Sequence, residues 1–216
     1  MRTNKIINIF NKHFQDNFWL YMISLLCISI GIILGIYTVK YMGGLQKSDL
    51  ISYLNSFTEN TLKGKINSNA VLVETIKNNL PLLAAIWFLG LTIIGIPIIL
   101  LFDIIKGFTV GFTISFFIKG LGSKGILVSL LGVLPQNIIY IPCLLISSVL
   151  AMEFSLSILR DKINKLWTQN IGVKIVSYSI SFLLILLVMG VGFILEAYLT
   201  PGFMKLVAFQ NRGILV

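Results

Sequence analysis

WFLGLTIIGIPIILLFDIIKGFTVGFT, residues Trp87 to Thr113, decides the class of this protein: glycines and one proline punctuate an apolar run whose only charges are Asp103 and Lys106. A helix in water needs a polar face, and at every helical phase this block offers Ile, Leu, Phe, Val or Gly. It reads as two membrane helices joined by a tight, charged corner. The whole chain agrees, with 56% hydrophobic and 12% charged residues among 216 and a mean hydropathy of +0.93. A soluble domain of this size could not hide several apolar stretches that each approach the roughly 20 residues needed to cross a bilayer. The expected fold is an all-α integral membrane protein. Residues 1–216 form a single polytopic domain, a bundle of about five transmembrane helices with a broken fourth helix.

Working outward, the first span is Phe18 to Val39, preceded by Arg2, Lys5 and Lys12. It is too long for the core of a secretory signal and lacks a small-x-small cleavage site, so it is expected to remain as an anchor. The second span is Leu80 to Phe102, with Pro81 in its first turn, an expected kink at Pro97, and Asp103 as its stop. The third, Ile104 to Ile118, is short and contains Lys106, which must snorkel to the interface unless the segment dips in and returns. The fourth, Gly125 to Met152, is interrupted by Leu134-Pro135-Gln136-Asn137 and then Pro142, which predicts a break rather than a straight helix. The fifth, Ile175 to Leu195, is uncharged and bounded by Lys174 and Glu196.

The densest basic loop, Arg160 to Lys174, is expected in the cytoplasm, and with five spans the basic N-terminus falls on the same side and the C-terminus outside. Residues 40–79 then form an extracytoplasmic loop. Within it Leu50, Leu54 and Phe57 follow a candidate N-cap, Ser48, at helical spacing and suggest a short amphipathic helix. It would either lie in the outer headgroup region or dock an external partner.

Residue types exclude much chemistry. Cys27 and Cys143 fall inside spans, and no paired Cys or His spacing suggests zinc or another metal. The single histidine, His13, is expected as a hydrated surface residue. With no histidine or aspartate pair within a span, neither a serine nor an aspartyl intramembrane protease is supported, so no catalytic residue and no cofactor are expected. Gln136, Asn137, Glu153 and Glu196 are the other intramembrane polar groups, the glutamates being read as interfacial or helix-packing residues near span ends. Asp103 and Lys106, three apart, could pair across the corner. The pairs Gly31 with Gly35 and Gly107 with Gly111 are compatible with close intramolecular packing or with a homo-oligomer. The net charge of +9 suits an anionic lipid bilayer, and no nucleic-acid partner is expected.

The blocks Trp87 to Thr113, Leu134-Pro135-Gln136-Asn137 with Pro142, and Glu196-Ala197-Tyr198-Leu199-Thr200-Pro201, in this order and spacing, resemble the stage II sporulation protein M family, as does His13-Phe14 with Asn17. The resemblance implies a protein of the mother-cell membrane at the sporulation septum of an endospore former. It would hold the peptidoglycan-degrading stage II sporulation proteins D and P, so that septal wall is thinned during engulfment. Leu50, Leu54 and Phe57 are the candidate partner contacts. Pro97, Asp103, Lys106, Pro135, Gln136, Asn137, Pro142 and Glu196 are assigned to the structural break or to packing. The rival reading is a permease or channel component, because broken membrane helices often line substrate sites.

Overall fold

The computed structural model describes residues 12–43, 48, 52, 68–163 and 171–212. Among them every regular element is helical: α1 Phe18–Tyr41, α2 Ser68–Gly90, α3 Gly95–Leu121, α4 Ser123–Gly132, α5 Leu134–Ile163 and α6 Ile171–Arg212. Four of these, α1, α3, α5 and residues Ile171–Tyr198 of α6, are long and apolar enough to cross a membrane. Polarity is inverted relative to a soluble protein. Trp19, Leu26 and Ile33 on α1 and Leu183, Leu187 and Ile194 on α6 are exposed, whereas Ser24, Asp103, Ser147, Ser148 and Ser155 are fully buried. Only an apolar solvent makes that arrangement stable.

The helix directions follow from residue pairs. Between α1 and α3 the contacts advance together, from Ser24 with Asp103, through Gly31 with Ile104 and Phe108 and Gly111 with Ile32, to Lys119 donating to the carbonyls of Val39 and Lys40. These two helices are therefore parallel, and the chain must return between them. Helix α2 makes that return, since Asn79 meets Lys106 and a tight turn over 91–94 joins Gly90 to Gly95. Helix α5 is antiparallel to α3, with Ser155 at Thr92 and Ser148 at Asp103. Helix α6 reverses again, pairing Tyr178 with Phe154 and Phe193 with Tyr140. The described helices thus make five passes of alternating direction, with α4 and α5 sharing the fourth.

Several expectations are corrected by this register. The corner between the second and third spans lies at 91–94, where Leu91 and Thr92 donate to the carbonyls of Phe88 and Leu89, and not at Asp103, which is interior to α3. A charge did not end the helix because its carboxylate found partners inside the bundle. Pro97 is in the first turn of α3, where its missing N–H has no intrahelical partner to lose, so it starts a helix instead of kinking one. Pro81 lies inside α2, not in a first turn, because residues 68–79, expected in the loop, are already helical. The third stretch is, as the five-span reading has it, helical throughout, and belongs to a 27-residue helix. The fourth run does break, between α4 and α5, with Pro135 in the first turn of α5 and Pro142 inside it. Leu50, Leu54 and Phe57 lie outside the described residues.

The core runs through the bundle along Tyr21, Ile28, Ile86, Ile99, Leu144, Met152 and Met189. The Gly31, Gly35, Gly107 and Gly111 positions meet one another's helices within the chain, α1 against α3, because no Cβ separates the two backbones.

Candidate functional site

Three polar constellations are built into these passes. The first ties three helices: Asp103 on α3, wholly buried, accepts from Ser24 of α1 at 2.6 Å and from Ser148 of α5 at 2.7 Å. Both carboxylate oxygens are thereby engaged, as a buried polar group in hydrocarbon requires. Asp103 does not pair with Lys106 across the corner. The helical turn that separates them sends each to different neighbours.

The second joins the chain start to α5. His13, in the helical turn before Asn17, lies 2.8 Å from the Glu153 carboxylate, 3.4 Å from the Tyr21 hydroxyl and edge-on to the Tyr21 ring. It is therefore a half-buried clasp rather than a free surface histidine. The sequence hid this because the partners are 140 positions apart, on elements that only the antiparallel register brings level. The hydrogen bond that the His13 ring donates to the Glu153 carboxylate raises the His13 pKa above its ordinary 6.5, against the opposing effect of burial. A raised histidine pKa stabilises the fold below the unfolded value and loses that contribution as pH rises through the folded one. The clasp should therefore hold fully near pH 6 and weaken above neutrality by about 1 kcal/mol or less, since solvent screens the pair. Protease sensitivity of the N-terminal segment, followed from pH 6 to 9, checks this. Glu153→Gln should abolish the pH dependence, and a dependence that survives would assign it elsewhere. The pair with Glu153 also sets His13 at the end of the bundle where α5 finishes with Arg160 and Lys162 in its last turn.

The third constellation is a cavity of about 450 Å³ walled by α2, α3, α5, α6 and the α4–α5 break. Lys106, near the middle of α3, donates to Asn79 Oδ1 at 2.8 Å and stands 5.4 Å from the centre of the Tyr140 ring. The hydroxyl of Tyr140 donates to Glu196 at 2.7 Å. Gln136 and Asn137 line the same space beside Val133, and Asn137 donates to the Val133 carbonyl at 2.7 Å, satisfying an acceptor at the break. Lys106 thus does not snorkel, because Asn79 and the Tyr140 face receive it in the interior. Glu196 is two residues from the end of the candidate span Ile171–Tyr198, and its contact with Tyr140 joins α6 to α5. Of the sequence-designated residues, the cavity brings together Lys106, Gln136, Asn137 and Glu196, while Asp103, Pro97 and Pro142 are not among its lining. Sequence reasoning missed Asn79 and Tyr140. The amide pair Asn78-Asn79 beside an apolar run, and Tyr140 one helical turn after Gln136, were the available signals.

Among the described residues no group of three or more His, Cys, Asp or Glu is arranged to hold a metal. No curated protein and no solved structure shows significant similarity to the chain. The sequence model of the family described as stage II sporulation protein M matches residues 24–201, from Ser24 in the first half of α1 to just past Glu196. That stretch takes in most of the first and last passes and all of α2 to α5, with the Asp103 tie and the whole cavity. With most of its length matched, the chain belongs to the stage II sporulation protein M family, and is a multi-pass membrane protein of sporulation.

Proposed function

We propose that this protein is a non-enzymatic membrane scaffold of endospore formation, assembling peptidoglycan-degrading partners at the septum for wall thinning and engulfment. The family match over residues 24–201 carries this reading, and the partners it implies are stage II sporulation proteins D and P. The orientation is N-terminus in the cytoplasm of the mother cell and C-terminus outside, where wall enzymes work. A bundle whose buried polar groups knit its own helices suits a rigid platform, with hydrolysis left to the partners.

Crosslinking sporulating cells that carry an N-terminal tag, followed by mild solubilisation and identification of what copurifies, tests the reading. A wall hydrolase should be recovered, and its recovery should fall severalfold when Leu50, Leu54 and Phe57 are all changed to Ser while the membrane level of the protein stays constant. Absence of any hydrolase at crosslinking levels that capture another membrane complex would overturn the scaffold. Unchanged recovery from the triple variant would remove the loop as the contact. A second reading, a permease or channel component, is favoured by one observation, the mixed-charge cavity beside a broken helix.

A further inference from the structure

Ionisable side chains deep in a membrane bundle are costly, and such groups mark ligand or ion sites more often than structural ones. The cavity is lined by two of opposite sign, Lys106 in the middle of its helix and Glu196 two residues from the end of its candidate span. Lys106 comes from α3 and Glu196 from α6, and Tyr140 of α5 touches both, its face toward the lysine and its hydroxyl on the carboxylate. A direct ion pair in this low-dielectric setting would neutralise both charges and close the space. Instead the lysine, which has three N–H donors, gives one to Asn79, and one oxygen of Glu196 accepts from Tyr140.

We infer that this cavity is a binding site for a compact zwitterion, whose acid group faces Lys106 and whose ammonium faces Glu196. A simple anion would be repelled by Glu196 and a simple cation by Lys106, whereas a dipolar molecule satisfies both walls. The volume of about 450 Å³ falls in the range of small-molecule sites. The wall between the charges includes the α4–α5 break, and interrupted membrane helices bring polar backbone to substrate sites. Entry is lateral, because Asn78, Ile105 and Thr109 line the cavity and are exposed. The same chemistry is carried by a free amino acid and by the headgroup of an aminophospholipid. The inference goes beyond the scaffold reading and is independent of it, since hydrolase recovery does not require an occupied cavity.

The full-length protein is reconstituted in nanodiscs of phosphatidylglycerol alone and titrated with radiolabelled L-serine, with acetate and ethylammonium as one-charge competitors. A parallel set of discs contains phosphatidylethanolamine, and native mass spectrometry identifies the lipid retained by the released protein. Serine binding that neither competitor displaces identifies a free solute. Preferential retention of phosphatidylethanolamine over phosphatidylglycerol identifies a headgroup. In either arm Lys106→Met and Glu196→Gln should each weaken retention about tenfold or more. Thr109→Phe, which narrows the exposed mouth while leaving both charges in place, should do the same and keeps the test decisive if a charge variant fails to fold. Retention of neither zwitterion, or retention unchanged in the folded variants, overturns the site.

Discussion

Gly107→Ala should destabilise the bundle by about 3 kcal/mol, at or beyond the upper end of ordinary overpacking, even though it adds a single methyl group. A Cβ on Gly107 would strike the carbonyl oxygen of Ile28, and one on Gly111 would strike that of Ile32. The obstacles are backbone atoms of a helix that itself cannot retreat, since Gly31 and Gly35 are set equally close against α3. No rotamer change relieves such a collision, so α1 and α3 must separate and lose their shared packing along the membrane. Gly190→Ala is the control. Its Cβ would meet nothing within 4 Å, so exchanging glycine for alanine there should be neutral or stabilising by helix propensity alone. Denaturant titration of both variants in bicelles would read the contrast. Equal stability of Gly107→Ala and wild type would mean that the close approach of α1 and α3 is not what holds them.

Asp103→Ala comes second, with an expected loss of about 3 kcal/mol. It strips the acceptor from two buried hydroxyls at once, Ser24 on α1 and Ser148 on α5. The cost is bounded because either serine can turn to a carbonyl one turn earlier in its own helix, as Ser147 already does with Cys143. Asp103→Asn, which keeps a carbonyl acceptor, should be milder. Ser24→Ala and Ser148→Ala added to Asp103→Ala should cost far less than the sum of the separate changes, because each removes a group already left unpaired. Strict additivity would show that the three residues do not act as one tie.

Legibility in the sequence followed the physics of each feature. The first and last spans were visible because Phe18 to Val39 and Ile175 to Leu195 are long and uncharged, and the structure gives the corresponding candidate spans as Phe18–Tyr41 and Ile171–Tyr198. The fourth-span break was visible because Pro135 removes a backbone donor wherever it stands. The second span was misplaced by about ten residues. Hydropathy penalises Glu74, Lys77, Asn78 and Asn79, so the polar first half of α2 read as loop, and the apolar remainder was joined to the start of α3. Only packing shows that α2 must run the return between two parallel helices. His13 was misjudged for a related reason: it was assigned to the environment of its own segment, whereas its partner Glu153 lies on another element.

Composition alone establishes the solvent of this protein, its all-helical class and the positions where a helix cannot be regular, because transfer of apolar side chains to lipid and the geometry of proline act locally and can be read one segment at a time. The pairings of Asp103 with two serines, of His13 with Glu153, and of Lys106 and Glu196 across one cavity were decided by the tertiary structure. They depend on helix direction and on which residues stand level; between α1 and α3 that register is set by the contact of four glycines with facing backbone, and in every pair it is a cooperative property of two elements that neither sequence segment contains.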